Sequence, residues 1–169
     1  MFHEIFAQMH KQLVQLDTWL DIAGTYASEH NFDPAELLQL RLAPDQFPFV
    51  RQVQSACDTA KLSISRITGK EAPVASDTEA SIDDLRTRIR TTIAYLDGFN
   101  PNDFIGADSR RITNPRWEGK VMIGGEYFME HALPNFFFHL VHAYAILRHA
   151  GVPLGKRDYL GILSLQSPS

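Results

Sequence analysis

Apolar residues recur at alternating intervals of three and four over four long stretches of this 169-residue chain, and that spacing restricts the fold more than any other feature. In the first stretch Ile5, Met9, Leu13, Leu16, Leu20 and Ala23 keep the spacing, which places them on one face of a helix over about residues 3–28. Val50, Val53, Cys57, Ala60, Ile64 and Ile67 repeat the pattern from Phe47 or Pro48 up to Gly69. A third helix follows, with Ser81 as N-cap, Asp84 in the first turn, Ile82, Leu85, Ile89, Ile93 and Leu96 on its buried face, and Gly98 predicted as a left-handed C-terminal cap. The fourth runs over about 126–150 and stops at Gly151 and Pro153, with Pro134 predicted to kink its first turns. Hiding four apolar stripes at once calls for a four-helix bundle, so the fold class is all-α.

The intervening segments read differently. Asp33 followed by Pro34 predicts a short helix before the prolines at 44 and 48. Between the third and fourth helices the period changes, and Arg110–Asn114 and Lys120–Ile123, flanking Pro115–Gly119, predict a small β-hairpin. No internal repeat or long linker divides the chain, so residues 1–169 are expected to form a single domain.

Charge narrows the function classes. Sixteen Lys and Arg against 20 Asp and Glu give a net charge of -4, which disfavours a nucleic-acid partner. Glu4, Gln8 and Lys11 interrupt the apolar N-terminus, so neither a signal peptide nor a membrane anchor is expected there, and a cytoplasmic location is. Cys57 is the only cysteine and sits on a core stripe, which predicts a buried, unreactive thiol.

The stretch HALPNFFFHLVHAYAILRHAG, residues 131–151, carries four histidines. At 100° per residue, Leu133, Phe137, Leu140, Tyr144 and Leu147 form one apolar stripe, with Ala132, Phe136, His139, Ala143, Ile146 and Ala150 beside it. His139 thus falls among apolar neighbours, whereas His131, Asn135, His142 and His149 share the remaining side, subject to any phase shift at Pro134. His131 and His142 lie about 16 Å apart along the axis, too far to share a metal whose ligands sit about 2 Å from it. Three consecutive phenylalanines point about 100° apart, so at least one is expected to face a pocket, the hairpin or a partner chain. On the second helix Gln54, Asp58 and Lys61 form a line, read either as a surface Asp58–Lys61 pair or as a carboxylate offered to a site. Lys156, Arg157 and Asp158 are expected to anchor the C-terminal segment to the bundle by salt bridges. The chain has no GxSxG, P-loop, GxGxxG or HExxH.

The segments LAPDQFPFVRQVQ, EHALPNFFFHLVHAYAILRHAGVPLGK and KRDYLG resemble a bacterial and fungal family of unknown function that is grouped with the DinB/YfiT-like bundles. The resemblance implies a four-helix bundle, often dimeric, from a superfamily whose members hold a divalent metal with three histidines and include thiol-dependent transferases and isomerases. Carried over by position, the two histidines of the last helix fall on Asn135 and His139, and the third on Gln52 or Gln54. Only His139 keeps the ligand. The leading expectation is therefore a homodimeric bundle with a degenerate metal site, binding a small molecule or serving as an interaction module. Its pocket should lie between the second and fourth helices, lined by Gln54, Asp58, Asn135, His139 and His142. The alternative is a divalent-metal (Zn, Ni or Mn) enzyme of thiol-transferase or isomerase type, with His139 and His142 coordinating and Asp58 completing the set or acting as a base.

Overall fold

A computed structural model of the chain describes residues 1–168. Three helices follow the periodicity closely: α1, Phe2–Glu29; α2, Phe49–Thr68; and α3, Ile82–Asp97. The short helix after Asp33 is a 3₁₀ segment, Pro34–Gln39, whose first turn is capped by the Asp33 carboxylate accepting from the Ala35 N–H at 2.9 Å. Ser81 and Asp84 form a reciprocal capping box that satisfies the free N–H groups at the start of α3.

The expected left-handed end at Gly98 is not formed. Its φ is -75°, because its N–H bonds back to Tyr95 and Leu96 in a tight final turn, an end any residue can adopt. Gly69, at φ 82°, is where a left-handed residue closes a helix, at the end of α2.

The hairpin is present but shorter than its sequence pattern. Strands β1, Arg111–Thr113, and β2, Val121–Ile123, pair antiparallel with Arg111 opposite Ile123, and a 3₁₀ turn, Pro115–Trp117, fills the loop. Only Ile112 is buried, so the hairpin lies on the bundle rather than inside it. It runs directly into the fourth helix at Gly124, where a Cβ would overlap the Ala107 carbonyl.

The fourth helix is built in three parts: a first turn, Gly124–Glu126; a π-helical stretch, Tyr127–Ala132; and α4, Leu133–His149. Pro134 has no N–H to give to residue 130, and its ring would crowd that carbonyl in a regular α-helix. The wide i→i+5 turns before it resolve both problems, so a π segment stands where the sequence predicts a kink.

A last helix, α5, Lys156–Leu160, packs on α1. It is anchored, though among the described residues not by the salt bridges expected of Lys156 and Arg157. The Trp19 indole N–H donates to the Asp158 carbonyl at 3.0 Å, and its ring stacks on Tyr159 at 5.7 Å, while the Asp158 carboxylate caps the Gly155 N–H.

One continuous core joins these elements, with Trp19 and Leu20 of α1, Phe49 and Ile64 of α2, Ile89 of α3, and Phe136 and Leu147 of α4. Cys57 lies inside it, and burial pushes its thiol up to about 12, as an unreactive core cysteine requires. Among the described residues no helix is long and apolar enough to cross a membrane.

Candidate functional site

A cleft of about 390 Å³ runs along the outer groove between α2 and the fourth helix, with the hairpin loop over one end. From α2 come Arg51, Ser55, Asp58, Thr59, Leu62 and Arg66, which recur at three- and four-residue steps and so form one ridge. Facing them are Tyr127, His131, Asn135 and His139, a line of four-residue steps that runs from the π segment into α4. The spacing sets His131, Asn135, His142 and His149 on one side; His131 and Asn135 do line the cleft together with His139, whereas His142 does not.

Two interhelical bonds pin this wall. Asn135 Nδ2 donates to Thr59 Oγ1 at 2.7 Å, and His139 Nδ1 meets Gln52 Oε1 at 2.8 Å. The second bond fixes a tautomer. Gln52 Nε2 donates to the Phe47 carbonyl at 3.0 Å, so its Oε1 must accept, and the His139 proton sits on Nδ1. The lone pair on Nε2 is left as an acceptor on a ring that lines the cleft. Burial, with smaller contributions from His142 and Arg51, pushes His139 down to about 4, so the ring is neutral at pH 7.

This has a measurable consequence. Because His139 binds its proton less readily folded than unfolded, it supports stability fully above about pH 6.5, and that support is lost as the pH falls toward 4. Urea midpoints taken from pH 7 to pH 4.5 should fall in the native chain and fall less in His139→Gln. Parallel pH profiles for the two proteins would contradict the assignment.

The other expected residues are placed as follows. Asp58 lines the cleft, but its Oδ1 accepts from Lys61 Nζ at 3.0 Å and from Arg88 Nη2 of α3 at 2.9 Å. The Asp58–Lys61 pair is thus real, with Arg88 added to it. Gln54 lies outside the lining. Its Oε1 accepts from Arg51 Nη1 at 3.1 Å, and its Nε2 donates to Glu79 Oε2 at 2.7 Å. His142 also lies outside, donating from Nδ1 to the Phe138 carbonyl at 2.6 Å, with Phe138 half exposed beside it.

The residues present do not fit the divalent metal that the superfamily resemblance implies. One imidazole faces two carboxamides, Asn135 and Gln52, and both carboxamides are engaged within the protein. Asp58, the carboxylate that lines the cleft, is neutralised by two buried cations. Among the described residues no three His, Cys, Asp or Glu side chains converge, and zinc sites draw on those types.

Several cleft residues carry no signal in the linear sequence. Arg66 donates to the Tyr127 hydroxyl at 3.1 Å and lies over that ring at 6.0 Å. Trp117 arrives on the hairpin loop, with its ring 5.9 Å from that of Tyr127 and 5.6 Å from that of His131.

Comparison with known proteins agrees with this architecture. No curated protein matches the chain. A crystal structure of a DinB family member protein from Shewanella denitrificans superposes with a TM-score of 0.94 at 43% sequence identity, over 99% of this chain and 98% of that one. Residues 1–160 match the family described as a domain of unknown function, DUF1993. By that match over nearly its whole length, on a bundle of DinB-like fold, the chain belongs to the DUF1993 family.

Proposed function

We infer that the chain is a small-molecule-binding bundle, with the cleft between α2 and the fourth helix as its binding site. The observation that carries this reading is the free Nε2 of His139, an acceptor held in one tautomer on the wall of a cleft of about 390 Å³. That volume lies within the range of ordinary ligand sites, about 300–1,000 Å³. A ring nitrogen at about 4 is too weak a base to collect protons efficiently near neutral pH. Its use is as a hydrogen-bond acceptor for a ligand O–H or N–H.

The test is a fragment set of small alcohols, amines, amides and carboxylic acids, followed by NMR on labelled tag-free protein. Hits should move the His139 ring and Asn135 amide resonances and be lost in Ser55→Tyr, which fills the groove without breaking the Gln52–His139 bond. Fragments that leave those resonances unmoved would refute the reading. Elemental analysis of the same preparation addresses the rival enzyme. Near-stoichiometric zinc, nickel or manganese that disappears in His139→Ala would replace a binding module with a metal-dependent transferase or isomerase.

A further inference from the structure

The cleft has two ends that a small ligand cannot reach together. His139 is opposite Gln52, whereas Tyr127 is opposite Arg66, and the 14 residue steps of α2 between those levels span about 21 Å. The end under the hairpin has a chemistry of its own.

Its wall is aromatic. Trp117, Tyr127 and His131 lie with ring centroids 5.5–5.9 Å apart, close enough to pack on one another and too close to enclose a ligand between them. They present a surface rather than a cage. Its charge is positive. Among the described residues no carboxylate comes within salt-bridge distance of Arg66 or Arg116, and the one carboxylate lining the cleft, Asp58, is held by Lys61 and Arg88. Two arginines without a carboxylate partner among the described residues thus line the hairpin end of a groove in a protein of net charge -4.

A cationic ligand is disfavoured there, since Arg66 already covers the Tyr127 face that would attract it. His131 adds a directional group. Its Nδ1 is buried with no partner, and a proton there would be left unsatisfied, so the ring carries its N–H on Nε2. Burial, and then the Arg66 charge, lower its affinity for a second proton.

We propose that the hairpin end of the cleft is a subsite for a small planar monoanion of the aromatic carboxylate class, its carboxylate on Arg66 and Arg116 and its ring against Trp117. Guanidinium groups pair with carboxylates through two parallel N–H···O bonds, which fixes the plane of the ligand as well as its position. The subsite rests on the binding-cleft reading above and gives one end of that cleft its ligand class.

Trp117 supplies the reporter, because the other tryptophan, Trp19, is fully enclosed. Fluorescence titrations with benzoate, its neutral isostere benzamide, and acetate separate the two elements of recognition. Benzoate should bind roughly tenfold to a hundredfold more tightly than benzamide, the loss expected when a charge-assisted hydrogen bond is removed. Acetate should bind more weakly than benzoate. Arg66→Gln should bring benzoate down to the benzamide level and leave benzamide unchanged. Should that variant fail to fold without its bond to Tyr127, Arg116→Gln, an exposed position, carries the test through a several-fold weakening of benzoate alone. Equal binding of benzoate and benzamide, or benzoate binding indifferent to both substitutions, overturns the subsite, as does the absence of saturable binding. Fragments seen at His139 with no preference for anions at Arg66 refute this inference alone. A cleft that takes no fragment at all refutes both readings.

Discussion

Trp19→Ala is expected to lower the stability of the bundle by about 3–5 kcal/mol, the range for truncating a fully buried aromatic side chain. Trp19 has no exposed surface, and its ring touches two others: Tyr144 of α4 edge-on at 5.5 Å and Tyr159 of α5 stacked at 5.7 Å. Its N–H also holds the Asp158 carbonyl. One side chain of α1 thus fixes two elements distant in sequence, and no neighbour can close the cavity left by its removal without moving a helix. At roughly 2–4 °C per kcal/mol for a chain of this size, the melting temperature should fall by about 6–20 °C. Trp19→Phe separates the contributions, since it retains most of the ring and loses the N–H donor, whose net worth is about 1 kcal/mol. Chemical denaturation of both variants, with protease sensitivity after residue 150 as a local readout, checks this. A loss below about 1 kcal/mol in the alanine variant would mean that α5 is not anchored through Trp19.

Arg88→Ala should be comparably severe for an electrostatic reason. Arg88 is 6% exposed and donates to Asp58 at 2.9 Å, to Glu79 at 2.8 Å and to the Ser76 carbonyl at 3.2 Å, with Asp77 at 3.1 Å. Glu79 comes from the connection between α2 and α3, so the guanidinium joins that connection to both helices. Its removal leaves the nearly buried Glu79 carboxylate without a counter-charge, a loss of about 3 kcal/mol or more, while Asp58 keeps Lys61 and Asp77 keeps Arg51. Burial by itself would raise the Glu79 carboxyl, but its bonds from Arg88 and Gln54 outweigh that and hold it below the usual range; Asp77 is depressed in the same way by Arg51 and Arg88. Groups whose pKa is lowered by folding give their full support above the ordinary carboxylate range and lose it as the pH falls through their folded values. The gap between native chain and Arg88→Ala should therefore be widest near neutral pH and close in acid. A gap that does not change with pH would show that packing, rather than charge, accounts for the effect.

The bundle was legible in the sequence because burial at steps of three and four is a local property that each helix records independently. Met9, Leu13, Leu16 and Leu20 are all fully enclosed, as their spacing implies. His139 was legible for the same reason, as a polar residue out of place on an apolar stripe. The site around it was not, and the cause lies at particular residues. Gln54 and Asp58 share a line on α2, yet Gln54 turns to Glu79 and Asp58 reaches Arg88, partners supplied by a connection and a helix whose positions only the folded chain defines. Trp117 and Arg66 meet Tyr127 across a hairpin and 61 residues of sequence. His131 and Asn135 share a side in the sequence and in the cleft, but the six π-helical residues before Leu133 are not visible to a count of 100° per residue. Pro134 was the available signal, since a proline inside a helix requires a local change of geometry, though not which change.

The π-helical stretch has an evolutionary consequence. Wide turns of this kind absorb one extra residue without breaking the helix, so gaining or losing a single codon between residues 127 and 132 would rotate everything upstream by about 100° while α4 and its core contacts stay in place. Such a change would swap His131 and Tyr127 for their sequence neighbours on the groove wall in one step. A family built on this bundle can therefore alter what its cleft recognises by insertion or deletion at one point, provided that the core contacts of Phe128 repack while those of α4 stay as they are.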